Sequence, residues 1–250
     1  MITAVALEGL PEVTPGDDLA ELLARALERQ EPPEDGDVLI LAHKVVSKAE
    51  GRLKTLSDVH PTPRARKLAH ANGKDPRHVQ VVLDESREII RATRGVLICV
   101  TRHGFVCANA GVDASNAPAP DSVVLLPMDP DASARTLRRR LNAALGVNLA
   151  IVITDSFGRA WRQGQSDVAI GCAGIAPLDD WRGRTDSVGR ELKATWIAIA
   201  DELAAAADLA RAKDARQPAV LVHGAARHVI ADDGPGARAL IRPASDDLFR

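Results

Sequence analysis

Aromatic residues are scarce in this chain of 250 residues: tyrosine is absent, and phenylalanine and tryptophan together make up 2% of the sequence. Proteins that bind single-stranded nucleic acids usually stack the bases on aromatic rings. The formal net charge is −2, from 32 basic and 34 acidic residues, so no excess of positive charge attracts a polyanion. We therefore expect no nucleic-acid partner.

Cysteine and long apolar runs are also scarce. Cys99, Cys107 and Cys172 are odd in number and contain no CxxC pair, which argues against a disulfide framework and a thiolate zinc site. No apolar run approaches the roughly 20 residues of a membrane span. The first ten residues lack the basic region of a signal peptide. We expect a cytoplasmic protein with no membrane partner.

Several familiar catalytic motifs are missing. Gly73-Lys74 has no upstream glycine and precedes Asp75, so it is not a P-loop. No HExxH or GxSxG motif is present, and the seven histidines show no ligand spacing. His43, His103 and His223 are expected to be surface or packed side chains, and Cys107 an inert core residue. The chemistry must be sought in other segments.

The spacing of apolar residues predicts strands and helices in mixed order. Strands are expected within residues 1–10, 37–41, 89–108 (two or three), 123–126, 149–153, 168–175 and 219–222. Helices are expected from about residue 17, at 63–72 and 75–85, from 129 to about 145, and from about 195 to Lys213. This order predicts an α/β fold of the mixed α+β kind rather than a plain Rossmann sheet. We expect residues 1–250 to form one unit, with two intimately packed subdomains, divided near 85–115 or discontinuously, as the alternative.

An acidic residue ends the apolar run 149–153. Asp155 follows this expected central strand, and α/β proteins bind ligands at the carboxyl ends of strands. The carboxylate of Asp155 and the hydroxyl of Ser156 are oxygen donors suited to Mg²⁺ or Mn²⁺. The alternative is an aspartate that caps the next turn. Both interpretations are open at this point.

A second acid, Asp113, lies in a stretch of small residues at 108–116. Small side chains let a ligand approach the backbone, and Asp113 and Asn116 both offer oxygen ligands. A polar loop is the simpler interpretation of this segment alone. The two acids indicate a metal site only if Asp113 and Asp155 meet in space.

Basic side chains follow Asp155 closely. Residues 157–165 contain Arg159 and Arg162, which can bind phosphate or carboxylate oxygens through bidentate hydrogen bonds. A solvated surface loop is the alternative, but the density of long planar donors favours a function. Lys44 and Lys48 can act as point charges on phosphates, although most lysines are simply solvated.

Taken together, these segments resemble one family, the coenzyme F420:gamma-glutamyl ligases. The resemblance covers nearly the whole chain in order, and its most specific segments contain Asp113 and Asp155. The matching segments are 9–13 (GLPEV), 44–52 (KVVSKAEGR), 102–106 (RHGFV), 110–116 (AGVDASN), 126–131 (LPMDPD), 154–162 (TDSFGRAWR), 167–171 (DVAIG) and 200–204 (ADELA).

The resemblance implies a ligase. Members of this family activate the terminal carboxylate of the deazaflavin F420-0 with GTP, giving an acyl phosphate from which the amino group of L-glutamate displaces phosphate. Further glutamates can follow through gamma linkages. The resemblance also implies an unusual mixed α/β fold, a homodimer, and a divalent metal, Mg²⁺ or Mn²⁺. A monovalent cation such as K⁺ is a further candidate. A nitroreductase-like domain, fused to some bacterial relatives, is expected to be absent.

The resemblance also implies site residues. The nucleotide contacts would be Leu10, Pro11, Glu12, Val13, His43, Lys48 and Asn116, with Lys48 on the phosphates. Asp113 and Asp155 would hold one metal, and Ser156 would reach a second. Our own inference adds Arg159 or Arg162 as a catalytic residue that stabilises the transferred phosphoryl group, with substrate positioning or a structural role as the alternative.

Two residues and one segment depart from the family pattern. Ser156 stands where threonine is common and keeps the hydroxyl, and His43 stands where serine is common. Residues 211–218 replace a glycine-containing nucleotide loop, so no role is carried over to them. Two other functions remain as alternatives: a metal-dependent phosphohydrolase, which would release phosphate without glutamate, and a non-catalytic nucleotide-binding module.

Overall fold

A computed structural model describes residues 1–212 and 214–247 of the chain. The strands are β1 (Thr3–Ala6), β2 (Val38–Ala42), β3 (Leu53–Thr55), β4 (Ser86–Thr93), β5 (Val96–Thr101), β6 (Val106–Ala108), β7 (Ser122–Val124), β8 (Ala150–Arg159), β9 (Arg162–Ala173), β10 (Asp179–Asp180), β11 (Trp196–Ile197) and β12 (Ala219–His223). The α-helices are α1 (Leu19–Gln30), α2 (His43–Ala49), α3 (Pro63–Asn72), α4 (Pro76–Asp84), α5 (Pro130–Leu145) and α6 (Ile199–Ala210).

The main sheet has five strands in the order β1-β12-β2-β8-β9. Only β2 and β8 pair in parallel within it, with Val38 opposite Ala150 and Ala42 opposite Thr154, whereas its other neighbours are antiparallel. A doubly wound Rossmann sheet is mostly parallel. The expected mixed α/β fold, distinct from a plain Rossmann sheet, is therefore confirmed.

The side chains of β8 alternate between two apolar clusters, because successive residues of a strand point to opposite faces. Ile151 and Ile153 pack with the buried faces of α1, α2 and α5. Val152 packs on the other face, with the buried residues of α6. The sheet is thus covered on both sides. This alternation also decides where the polar residues that continue β8 will lie.

A third apolar cluster lies in the part of the chain between α2 and α5. It joins α3 and α4 to the three-stranded sheet β4-β5-β6 and to the β3-β7 pair, through residues such as Val79, Leu97 and Val123. Cys99 and Cys107 face each other across β5 and β6, and both are buried free thiols. Burial raises the pKa of Cys107 to about 12. Cys107 therefore remains a protonated thiol at neutral pH, as expected of an inert core residue.

Many predicted elements are confirmed, including α3 at the predicted 63–72 and the end of α5 at Leu145. Two strands are longer than predicted, because β8 and β9 continue as a hairpin whose last pair is Arg159 with Arg162. The helix expected from residue 195 begins at Ile199, since Trp196 and Ile197 pair with β10. It ends at Ala210, and its expected end at Lys213 lies outside the described residues. Among residues 1–212 and 214–247, no helix is long and apolar enough to cross a bilayer.

Candidate functional site

Helix α2 organises the candidate site. It starts at His43, directly after β2 ends at Ala42, and β2 lies parallel beside β8. Because the carboxyl ends of parallel neighbours meet at one edge of a sheet, α2 begins next to the polar end of β8. Val45 and Val46 pack in the main core. His43, Lys44 and Lys48 of the same helix contact acidic residues from three other segments.

Asp155 faces the buried ring of His43. The Nε2 atom of His43 lies 3.4 Å from the Oδ1 atom of Asp155, and the Nδ1 atom lies 3.2 Å from the hydroxyl of Ser47. Nε2 is buried and makes no hydrogen bond to any described residue. Oδ1 of Asp155 accepts the backbone N–H of Ser156 at 2.8 Å. The ring and the carboxylate thus lie close together without being joined by a hydrogen bond.

Asp113 binds the ammonium group of Lys44. The Nζ atom of Lys44 donates to Oδ2 of Asp113 at 2.6 Å, and the backbone N–H and hydroxyl of Ser115 each donate to the same carboxylate at 2.7 Å. Burial raises the pKa of Asp113, but the hydrogen bonds from Lys44 and Ser115 together outweigh it, so the pKa lies below the ordinary 3.8. Asp113 is therefore an ionised carboxylate that already binds a cation.

The two acids therefore lie beside one helix, since Asp155 faces His43 and Asp113 binds Lys44, the next residue. Asp113 is held there by a backbone bridge to Val124, which pairs with β3 just after α2. The fold thus brings both acids to the first turn of α2, and the metal site stays a prediction. The sequence suggested Lys44 as a point charge on phosphates, but it did not predict its contact with Asp113.

The segment before α1 meets the other end of α2. Lys48 is buried and forms an ion pair with the exposed Glu12. Leu10 and Val13 pack against the main core, and Pro11 is exposed. The resemblance placed residues 10–13 and Lys48 at one nucleotide, and the structure brings these segments into contact.

Ser156 lies on the opposite face of β8 from Asp155. Its hydroxyl donates to Oδ1 of Asp167 at 2.6 Å, and Thr154 donates to Oδ2 of the same carboxylate at 2.8 Å. Arg211 also belongs to this cluster, through an ion pair with Asp167. We assigned no role to Asp167 from the sequence, although it begins the matching segment 167–171. Its contact with Ser156 depends on the β8–β9 register, which the sequence does not reveal.

The arginines expected to be catalytic lie at the tip of the β8–β9 hairpin. Arg159 and Arg162 are opposite each other and exposed, with Trp161 between them at 80% exposure. A guanidinium N–H of Arg159 donates to the carbonyl of Gln163 at 2.9 Å. Within the described structure, neither arginine bonds to Asp113 or Asp155. Asn116 is also exposed, in the loop that follows Asp113.

The donor set suits a hard divalent cation. Asp113 and Asp155 supply carboxylate oxygens, and a cationic group, the Lys44 ammonium, already binds one of them. Among residues 1–212 and 214–247, no three His, Cys, Asp or Glu side chains are grouped to hold a metal. Mg²⁺ and Mn²⁺ often bind through one or two carboxylates together with substrate phosphates and water. The residues fit a cation that is bound with a nucleotide, not one enclosed by protein ligands.

Comparison with known proteins gives a consistent result. The family model described as F420-0:Gamma-glutamyl ligase matches residues 9–224. A protein named Coenzyme F420:L-glutamate ligase from Methanopyrus kandleri is 50% identical over 241 residues, 96% of this chain and 94% of the relative. Relatives of the same name from Methanothermobacter thermautotrophicus and Methanocaldococcus jannaschii are 44% and 42% identical, over 100% and 93% of this chain and 99% and 90% of the relatives.

The Lys44–Asp113 contact yields a prediction for the metal-free protein. In Lys44→Met, the pKa of Asp113 should rise above its wild-type value, because burial continues to raise it while the ammonium no longer lowers it. Carbon-13 NMR titration of the Asp113 carboxyl group measures this change. Lys67→Met, which removes an exposed lysine of α3, is the matched control and should leave the Asp113 pKa unchanged. Identical titration of Asp113 in all three proteins would contradict the assigned ion pair.

Proposed function

The chain belongs to the F420-0:gamma-glutamyl ligase family and is a ligase, and from that premise we propose that it joins L-glutamate to F420-0 through an amide bond. We propose further that the reaction uses GTP and a divalent metal, Mg²⁺ or Mn²⁺. The observation that carries this proposal is the approach of Asp113 and Asp155 to consecutive residues of α2. Two carboxylates beside a cationic helix suit a nucleotide bound with its metal.

The chemistry explains why a nucleotide is needed. A carboxylate is a poor electrophile, because its negative charge repels a nucleophile and oxide is a poor leaving group. Transfer of the γ-phosphoryl group of GTP to the F420-0 carboxylate gives an acyl phosphate and GDP. The amino group of L-glutamate then attacks the carbonyl carbon, the C–O bond to phosphate breaks, and the ammonium proton is lost. The products are an amide, GDP and inorganic phosphate.

In this proposal each acid has a defined task. Asp113 and Asp155 hold the divalent cation, which when bound neutralises charge on the phosphate oxygens. Lys44 donates to Oδ2 of Asp113, and its ammonium group would lie beside the phosphates of a nucleotide bound there. His43 limits the movement of Asp155 by packing against it, since its ring is 2% exposed and anchored at Ser47.

The nucleotide would lie along residues 10–13 and the end of α2. Lys48 is paired with Glu12 in the described structure, so binding of a phosphate would exchange one anionic partner for another. Asn116 follows Asp113 in an exposed loop and can reach a nucleotide without rearrangement of the core. These assignments follow from the family resemblance, and the contact between residues 10–13 and α2 supports them.

Arg159 and Arg162 would act from the hairpin tip. Their exposed guanidinium groups can bind phosphate or carboxylate oxygens of substrates that enter from solvent. The function also implies a cytoplasmic enzyme that acts on small molecules. A homodimer and a bound K⁺ belong to the same proposal.

Mass spectrometry of the reaction products tests the proposed function. F420-0 is incubated with the purified protein, L-glutamate, GTP and Mg²⁺ or Mn²⁺. We expect F420-0 to gain the mass of one or more glutamyl residues, and only when both nucleotide and metal are present. Phosphate release that is independent of glutamate, without any gain in mass, would replace the ligase proposal with the phosphohydrolase.

Asp155 gives a prediction for the metal site. Asp155→Asn removes one negative oxygen ligand while keeping the shape of the side chain, so metal-dependent turnover should fall by roughly a hundredfold or more. The same mass-spectrometric assay gives the rate. Asp246→Asn, an exposed carboxylate near the end of the described chain, is the matched control and should keep the wild-type rate. Near-normal turnover of a folded Asp155→Asn protein would remove Asp155 from the mechanism.

A further inference from the structure

Phe157 is a partly buried aromatic side chain beside Asp155. It follows Asp155 by two residues in β8, so both side chains point to the same face of the sheet. On that face Phe157 packs against the main apolar cluster, and its ring meets the buried ring of Phe105 edge-on, with 6.3 Å between the ring centroids. An aromatic pair therefore lies next to one of the two acids of the candidate site.

Two further side chains limit the exposure of Asp155. Val168 lies opposite Asp155 in the register of β8 and β9, and it also packs against the main apolar cluster. The Nε2 atom of the buried His43 ring lies 3.4 Å from Oδ1 of Asp155. The side chain of Asp155 is only 16% exposed, although it lies at the edge of the sheet. The apolar surface thus extends to the place where we expect the phosphates.

The proposed reaction creates a need for such a surface. An acyl phosphate reacts with water as well as with an amine. The water oxygen bonds to the phosphorus or to the carbonyl carbon, the bond from that atom to the bridging oxygen breaks, and a carboxylate, phosphate and a proton are released. GTP is then consumed without formation of an amide. Enzymes that form reactive intermediates prevent this loss by excluding water from the site.

We propose that Phe157, backed by Phe105, covers the acyl phosphate and keeps water away from it until L-glutamate attacks. This inference rests on the proposed function, because it requires an acyl phosphate formed beside Asp155. The ring of Phe157 is suited to the role, since it is held by Phe105 on one side while part of its surface remains exposed. A phenyl ring cannot transfer a proton or bind a cation through a lone pair. Phe157 therefore selects the amine over water and takes no part in phosphoryl transfer.

The test compares phosphate release with amide formation in the same reaction. Phosphate is measured by a colorimetric assay and the amide by mass spectrometry, with F420-0, L-glutamate, GTP and Mg²⁺ present. The wild-type protein should form phosphate and amide in equal amounts, as the proposed reaction requires. In Phe157→Ala the ratio of phosphate to amide should rise roughly threefold or more, because water reaches the acyl phosphate. Phe157→Leu keeps an apolar side chain and should show a smaller rise.

Leu145→Ala is the matched control. Leu145 is partly buried against the same apolar cluster, but it ends α5 shortly before β8 begins, at the opposite edge of the sheet from Asp155. Phe157→Ala and Leu145→Ala each remove an apolar side chain from the cluster, so both should lower the thermal unfolding midpoint. Only Phe157→Ala should change the ratio, since a loss of folded protein lowers phosphate release and amide formation equally. If Phe157→Ala does not fold, the smaller rise in Phe157→Leu tests the role.

Omission of single substrates separates the outcomes. Phe157→Ala should release phosphate faster than wild type when glutamate is omitted, but not when F420-0 is omitted, since the acyl phosphate then cannot form. An unchanged ratio in a folded Phe157→Ala protein, an equal rise in Leu145→Ala, or excess phosphate release without F420-0 would overturn the shielding role and leave the ligase proposal intact. Failure of the wild-type protein to form the amide would overturn the proposed function, and this inference with it.

Discussion

The parallel pairing of β2 with β8 is the interaction on which the candidate site depends. It is the one parallel pair of the main sheet, and its apolar residues 38–41 and 150–153 are fully buried between two clusters. Because both strands run the same way, α2 leaves β2 at the edge where Asp155 follows the buried part of β8. An antiparallel pair would have placed these ends on opposite edges. The packing of the main sheet therefore also positions the residues of the candidate site.

Alternation along β8 divides the polar residues into two groups. Asp155 points toward α2, where His43 and Lys44 lie, whereas Thr154 and Ser156 point toward the end of α6 and its neighbour Arg211. The β8–β9 hairpin holds both groups in place, because Thr154, Asp155 and Ser156 each pair with a residue of β9. One strand can thus offer ligands on both faces at the same edge.

The two acids of the candidate site can be selected from local sequence. Asp155 follows an apolar strand, and Asp113 lies among small residues, so both could be chosen as oxygen ligands. The contact of Lys44 with Asp113 spans 69 residues and depends on packing between distant parts of the chain. Asp167 was missed for a similar reason, because only the register of two strands places it beside Ser156. Composition and periodicity predict the secondary-structure elements and the candidate ligand residues. They do not predict which of those residues lie close together in the fold.

The most direct measurement is the position of Mn²⁺ in crystals grown with GTP, located by anomalous scattering. The central claim is that α2 and β8 bring two distant carboxylates to one cation. It predicts a Mn²⁺ ion bonded to oxygens of both Asp113 and Asp155 and to phosphate oxygens of the nucleotide. An ion bonded to only one of these carboxylates, or bound away from both, would contradict the account.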